Sequence, residues 1–179
     1  MSAYVTPVRD SEITDPELLA LVRECEALGV PDPQFPRIVA RVPGQAKTML
    51  ATLLHCYAQG AVDHRLKELV RIQMAHAVGD PYFSALRSKK AVAAGMTEDD
   101  VEAALGDYES ADRFSEAEKM AMAFAEQMFL DSTKIDTNFY VEMKAHYTEP
   151  QIMELGTFVG IWQGVQIVGK TLGLGAPAA

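Results

Sequence analysis

Signals that start helices recur along this 179-residue chain, and they restrict the fold more than any other feature. Two are capping boxes, in which a Ser or Thr precedes a Glu by three residues, at Thr14–Glu17 and Ser115–Glu118. Thr97–Asp100 and Thr148–Gln151 begin further helices in the same way. No segment alternates strictly between apolar and polar residues with hairpin turns at its ends, as a strand would. The chain is therefore predicted to be all-α, with about eight helices.

Helix boundaries follow from these caps and from glycine and proline. The first helix is predicted to end at Gly29, and the segment from Gly29 to Gly44, which contains four prolines, is predicted to be an extended connector. Asp80 is predicted to cap one helix that continues to about Ala94. We expect a single domain over residues 1–179, in which 1–44 form an N-terminal helix and Pro-rich connector and 45–175 form the core. The predicted helices cover approximately 16–28, 45–59, 64–78, 81–94, 97–105, 115–130, 137–146 and 149–172.

Charge and cysteine content exclude several classes of protein. The net charge of -9 argues against a nucleic-acid partner and against binding to anionic membranes, since both require a basic surface. The apolar run 152–172 is interrupted by charged and amide side chains, so a membrane span is not expected. Cys25 and Cys56 are isolated and mid-helix, which is typical of free thiols in a reducing cytosol. The first residues lack a basic and an apolar region, so no signal peptide is expected and the protein is predicted to be cytoplasmic.

The predicted helix 64–78 has two dissimilar faces. One face is apolar and is expected to pack on the core. The other combines Glu68 and His76 with Ile72 and small residues, as a pocket wall or a subunit contact would. Glu68 and His76 are eight residues apart, about 12 Å along the axis, so both can line one cavity without sharing a proton directly. The alternative is that Glu68 is a surface carboxylate that pairs with Arg71 at i+3.

The next predicted helix begins with Asp80-Pro81, a strong N-cap. Tyr82 and Arg87 lie in its first two turns, and Arg87 has the geometry to bind a substrate carboxylate or to form a surface salt bridge. His55 is a further candidate proton carrier, one helix earlier.

Glycines occur every four residues in the last helix, at Gly156, Gly160 and Gly164. They indicate close packing of another backbone, within the subunit or across an oligomer interface, or space for a ligand beside Trp162 and Gln163. No histidine or cysteine pair has the spacing of metal ligands, so neither a metal nor a cofactor is predicted.

Three segments together resemble the carboxymuconolactone decarboxylase / alkylhydroperoxidase D (AhpD-like) superfamily over about residues 45–175. They are Asp63–Val70, Ala75–Gly79 and Ala91–Val101, and the helix start at Phe114–Lys119 is similar too. The resemblance implies an AhpD-like helical fold of about eight helices that assembles into trimers or hexamers, with active sites near subunit contacts.

Two chemistries occur in that superfamily. The peroxidase branch uses a glutamate followed by Cys-x-x-Cys and then a histidine, and Glu68 matches the glutamate. Asp80 and Phe83 occupy the cysteine positions and Arg87 the histidine position, so no dithiol cycle is expected. The decarboxylase branch lacks the cysteines and acts on small lactone acids without a cofactor.

We therefore predict a cofactor-free, homo-oligomeric (trimeric or hexameric) lyase or decarboxylase that acts on a small organic acid, lactone or aromatic-derived. The alternatives are a non-catalytic or vestigial oligomeric binder of small molecules and a weak peroxidase that uses Cys56. The predicted catalytic residues are Glu68 as general acid/base with His76 or His55 as second proton carrier. The predicted substrate-binding residues are Asp80, Tyr82, Arg87 and Trp162.

Overall fold

The computed structural model describes residues 3–28, 30 and 32–175, and within them it contains helices and turns but no strand. The predicted all-α class is confirmed. The α-helices are α1 Pro16–Leu28, α2 Phe35–Val39, α3 Pro43–Leu53, α4 His64–Ala77, α5 Pro81–Ala85, α6 Lys89–Ala93, α7 Glu98–Leu105, α8 Glu116–Asp131, α9 Thr137–His146 and α10 Glu149–Thr171. A π-helical segment, Leu54–Gln59, follows α3, and two short 3-10 turns lie at Asp10–Glu12 and Ser132–Lys134.

Helix α4 lies at the centre of the bundle. It contacts α5, α6, α7, α8, α10 and the π-helical segment, so it is covered on most sides. Leu69, Val70 and Ile72 are completely buried, and Glu68 on the same helix is buried as well. The second face of this helix was predicted to be a pocket wall or a subunit contact. Near Glu68 that prediction is wrong, because the neighbouring helices of the same subunit cover this face.

Helix starts largely agree with the capping signals. The capping boxes at Thr97, Ser115 and Thr148 are all formed. One cap differs by one residue from the prediction, because Asp15 rather than Thr14 accepts hydrogen bonds from the first turn of α1. Asp136 caps α9.

Three predicted boundaries are wrong. The Pro-rich connector is not fully extended, because it contains α2, whose first turn is stabilised by Asp32. The helix expected over 45–59 changes to π-helix at Leu54. The helix expected from Asp80 to Ala94 is interrupted, since Leu86 and Ser88 have extended backbones. The predicted helix end at Gly29 and the connector residue Pro31 lie outside the described residues.

Of the three spaced glycines of α10, only Gly156 has neighbouring side chains within 4 Å in the described part of the subunit. A Cβ on Gly156 would lie 3.7 Å from Phe124, whereas at Gly160 and Gly164 it would meet no atom within 4 Å. Tight packing at these two glycines is therefore not made by the described part of the subunit. Within the same part of the chain, no helix is both long and apolar enough to span a membrane.

Candidate active site

A buried polar network surrounds Glu68. Its carboxylate accepts hydrogen bonds from Arg71 Nε at 2.7 Å and Arg71 Nη2 at 2.9 Å. It also accepts one from the Ser88 backbone amide at 2.7 Å and one from the Tyr57 hydroxyl. Arg71, the i+3 partner considered for a surface pair, is indeed the partner, but the pair is buried rather than exposed.

Arg71 joins this network to the interrupted helix. Its guanidinium donates to the carbonyl oxygens of Phe83 and Leu86, both at 2.6 Å. It also lies over the ring of Trp162, 5.4 Å from the ring centroid. These bonds satisfy carbonyls that a continuous helix would pair with its own amides, so the buried cation stabilises the break between α5 and α6.

The network holds Glu68 in its charged form. Burial alone would raise the pKa of Glu68, but the charge of Arg71 and the hydrogen bonds from Arg71, Tyr57 and Ser88 together outweigh burial and hold the pKa below its ordinary value. A fully buried carboxylate that accepts four hydrogen bonds is suited to a structural role more than to proton transfer.

His64 completes the network beside Ser88. Its Nδ1 lies 2.8 Å from the Tyr57 carbonyl oxygen and its Nε2 lies 2.7 Å from Ser88 Oγ. A carbonyl only accepts, so Nδ1 carries the proton and Nε2 accepts from the Ser88 hydroxyl. Burial lowers the pKa of His64, which favours this neutral form.

Asp80 has a different environment from Glu68. It caps α5 by accepting from the amides of Tyr82 and Phe83 at 3.1 Å and 3.0 Å, and both bonds end on Oδ1. No other bond to its carboxylate exists in the part of the chain that the structure describes. Asp80 is nearly buried, yet it lines a cavity of about 230 Å³. One oxygen of this carboxylate is therefore not occupied by a protein donor.

The remaining walls of this cavity, which we call the Asp80 cavity, come from α8, α10 and the end of α4. Val78, Phe129 and Ile167 provide apolar surface. Gln163, Gln166 and Lys170 provide polar groups from α10. A carboxylate, two amides and an ammonium group thus converge on a small, partly apolar space, a combination typical of ligand sites.

The other predicted substrate-binding residues lie elsewhere. Arg87 forms a two-pronged ion pair with Glu98, with both N–O distances at 2.9 Å, as in the surface salt bridge considered from the sequence. The Tyr82 hydroxyl donates to Asp32 in the connector. Trp162 is fully buried and packs against Phe83 rather than lining a cavity.

Among the described residues, no hydrogen bond joins His55 or His76, the predicted second proton carriers, to Glu68 or Asp80. His76 is exposed at the end of α4 and lines none of the cavities found in the described residues. His55 is exposed and lines a different cavity of about 590 Å³, beside Cys56 and Glu154. The structure therefore does not bring His55, His76 and Glu68 into one site.

Both cysteines are buried and poorly suited to form thiolates. Burial raises the pKa of Cys25 to about 12 and that of Cys56 to about 11. At the second cysteine position of the peroxidase motif, the Phe83 ring is completely buried and packs edge-on against Trp162 with centroids 5.8 Å apart. Among the described residues, no three His, Cys, Asp or Glu side chains cluster as a metal site would require.

Sequence reasoning missed Gln166 and Lys170. They are four residues apart on α10, so they share a helix face, but no local pattern marks them as site residues. Only the packing of α10 against α8 and the end of α4 brings them to Asp80. The glycine spacing and Trp162 pointed to the correct helix but not to these side chains.

Solved structures with the same fold include enzymes and uncharacterised proteins. A variant of the debrominase Bmp8 in complex with 2,3,4-tribromopyrrole is 22% identical, with a TM-score of 0.75, over 96% of this chain and 90% of that one. The AhpD core of an uncharacterised peroxidase-related protein from Ralstonia eutropha JMP134 is 11% identical, with a TM-score of 0.78, over 97% and 92%. A peroxidase-related protein from Silicibacter sp. TM1040 is 14% identical, with a TM-score of 0.69, over 93% and 89%. The fold is therefore AhpD-like.

The family profile agrees with this fold. Residues 43–127 match the Carboxymuconolactone decarboxylase family. No curated protein matches the chain. The predicted resemblance is confirmed: the segment 43–127 matches this family, and the fold of the chain is AhpD-like.

Proposed function

We propose that this protein is a cofactor-free lyase of the decarboxylase type, acting on a small organic acid by general acid/base catalysis in the Asp80 cavity. One observation carries the proposal: Asp80 is a nearly buried carboxylate whose Oδ1 is held by two backbone amides while the residue lines a cavity of about 230 Å³. A fixed carboxylate at the edge of a small cavity is suited to accepting and returning a proton.

The chemistry assigned to Asp80 is proton delivery. When the bond between a substrate carbon and its carboxylate breaks, CO₂ departs and the electron pair of that bond stays on the carbon. A neighbouring carbonyl or lactone group of the substrate delocalises this pair. A proton must then replace CO₂ on the carbon, and Asp80 delivers one that it has taken up from water. No other reactant is required.

The role of general acid/base is assigned here to Asp80 and not to Glu68, the residue that the sequence predicted. Glu68 is fully buried and already accepts four hydrogen bonds from protein donors, so it is not presented to a substrate in this structure. Its role is to hold Arg71, which in turn holds the break between α5 and α6. The predicted catalytic roles of His55 and His76 stay predictions that the geometry does not favour.

A small ring compound is a suitable ligand for the Asp80 cavity. The debrominase with the same fold carries 2,3,4-tribromopyrrole in its structure. The Asp80 cavity has apolar walls at Phe129 and Ile167 that suit a ring or a lactone. Its volume favours a single small molecule over a long chain.

The test compares two aspartates that cap helices in the same way. Asp80→Asn retains a capping side chain but cannot carry the proton, so turnover of small lactone and aromatic-derived acids should fall by about 10²- to 10⁴-fold. Asp136→Asn is the control, because Asp136 caps α9 with bonds of 2.9 Å and 3.0 Å and does not line the Asp80 cavity. CO₂ release measures the reaction. Equal rates in both variants would overturn the proposal.

The second candidate function is a binder without catalysis, favoured if wild-type protein retains an organic acid but releases no CO₂ from any member of the panel. A thiol peroxidase is less favoured, because burial keeps the pKa of Cys56 high, at about 11. Turnover of an organic hydroperoxide that disappears in Cys56→Ser would reverse this ranking.

We further propose that the chain self-associates through the open face of α10. Met153 and Ile167 are 68% and 61% exposed on this helix, and Gly160 and Gly164 have open space above them. Apolar side chains beside bare backbone suit close packing of a second copy. Light scattering at micromolar concentration should give a dimer, trimer or hexamer, and a monomer of 19.6 kDa would contradict this.

A further inference from the structure

Gln166 is a buried polar side chain without a protein partner. The residue is only 5% exposed, and its Nε2 forms no hydrogen bond within the described residues. It lines the Asp80 cavity. Buried amide groups are almost always hydrogen-bonded, because leaving one unpaired is unfavourable. The unpaired Nε2 is enclosed in this structure, and a ligand in the cavity supplies the missing acceptor when the amide of Gln166 turns towards it.

Lys170 lies one helical turn further along α10 and lines the same cavity. It forms no ion pair in the part of the chain that the structure describes, although the protein is strongly acidic. Side chains at i and i+4 lie on the same helix face, so the amide of Gln166 and the ammonium of Lys170 are neighbours. Together they provide donors and a positive charge next to each other.

Lys170 gives the cavity a direction. A ligand carboxylate is attracted by Lys170, so it turns towards α10. Its apolar part is then left against the apolar walls at Phe129 and Ile167. Carbonyl and carboxylate oxygens are the acceptors that an amide N–H and an ammonium group bind.

We propose that Gln166 and Lys170 recognise an oxyanion of the substrate, with Gln166 as the specificity-determining residue for a small aromatic monocarboxylate. This inference rests on the cavity named in the proposed function, but it concerns recognition rather than proton transfer. It assigns roles to two residues that the family resemblance did not indicate.

Benzoate is the probe, because it has the required carboxylate and ring and permits binding to be measured without turnover. Binding to the full chain is followed by calorimetry or by NMR. Gln166→Met, which removes the amide while keeping a similar shape, should weaken benzoate binding by about 5- to 30-fold. Gln166→Glu should weaken it further, because it adds a like charge. Lys170→Met should weaken it by about two- to five-fold, as expected for an exposed charge.

Matched controls separate recognition from general damage. Gln127→Glu changes a half-buried glutamine on α8 that does not line the cavity and whose amide donates to the Asp131 carbonyl at 2.8 Å. Lys134→Met removes an exposed lysine that does not line the Asp80 cavity. Both should bind benzoate like wild type, and benzamide should bind the wild type and Lys170→Met equally. Melting curves identify any variant that is not folded.

Several results would overturn the inference: no benzoate binding by the wild type, equal binding by Gln166→Met and the wild type, or equal losses in Gln166→Glu and Gln127→Glu. If benzoate binding depends on Gln166 and no acid is turned over by the wild type, recognition stands while the proposed catalysis fails. If turnover depends on Asp80 but benzoate binding is the same with and without the Gln166 amide, the proposed catalysis stands while the recognition by Gln166 fails.

Discussion

The two carboxylates Glu68 and Asp80 belong to one sequence frame, twelve residues apart, and have nearly opposite environments. Glu68 is completely buried and accepts four hydrogen bonds, two of them from Arg71. Asp80 accepts two, both on one oxygen, and lines a cavity. The difference shows that two acidic residues close together in one motif can have opposite environments. The surrounding donors and the access to a cavity are set by tertiary packing.

The two residues at the cysteine positions of the peroxidase motif, Asp80 and Phe83, differ in the same way. Phe83 fills the second cysteine position with a buried ring against Trp162, so this end of the motif has become part of the core. Asp80, at the first cysteine position, retains contact with the cavity. Chemistry in this chain is therefore expected at one end of the former motif and structural support at the other.

The largest expected effect concerns Arg71. Arg71→Met leaves Glu68 as an unpaired buried charge and removes the donors to the Phe83 and Leu86 carbonyls, so we expect a loss of about 3–5 kcal/mol in the free energy of unfolding. Arg87→Met is the control, because the half-exposed Arg87–Glu98 pair should contribute less than about 1 kcal/mol. Urea denaturation measures both. Similar losses in the two variants would show that the buried network contributes no more to the free energy of unfolding than the half-exposed Arg87–Glu98 pair.

The pH dependence of stability should reflect the same network. Burial lowers the pKa of His64 in the folded state from its ordinary 6.5, so the unfolded chain binds the extra proton first as the pH falls. Stability should therefore decrease below about pH 6.5, by up to about 1.4 kcal/mol per pH unit for this group.

A second decrease should follow at lower pH. The pKa of Glu68 is held below its ordinary 4.5, so its contribution is complete above that value and is lost as the pH falls through the folded-state pKa. His64→Gln should flatten the first decrease and leave the second. Urea midpoints between pH 7.5 and 3.5 test this, and an unchanged slope near pH 6 in His64→Gln would contradict the assignment.

The smallest expected effect concerns the cap at Asp80. Asp80→Ala removes a side chain that accepts two amide hydrogen bonds, and we expect a loss of about 1 kcal/mol in the free energy of unfolding. Asp136→Ala should cost a similar amount, since it caps α9 in the same way. Thermal unfolding compares the two. A loss at Asp80 as large as that in Arg71→Met would mean that Asp80 is structural like Glu68, and the contrast between the two carboxylates would disappear.

Predictions from sequence succeeded where a structure depends on neighbouring residues in the chain. The capping boxes at Thr97, Ser115 and Thr148 formed as expected, because a cap is made within one turn of helix. The i+3 pairing of Glu68 with Arg71 was also visible as an alternative, since helix geometry alone brings the two side chains together. The burial of that pair was not visible, because it depends on the helices that surround α4.

What the sequence by itself determined is therefore the helical class, most of the helix starts, the resemblance to the superfamily and the absence of cysteines from the positions of its reactive thiols. Only the tertiary structure decided that the helix after Asp80 breaks at residues 86–88, because the donors that stabilise the break come from Arg71 on another helix. Tertiary packing also decided that Gln166 and Lys170 join Asp80 in one cavity. Local propensities act over a few residues, whereas burial and the convergence of side chains depend on contacts between segments that are far apart in the chain.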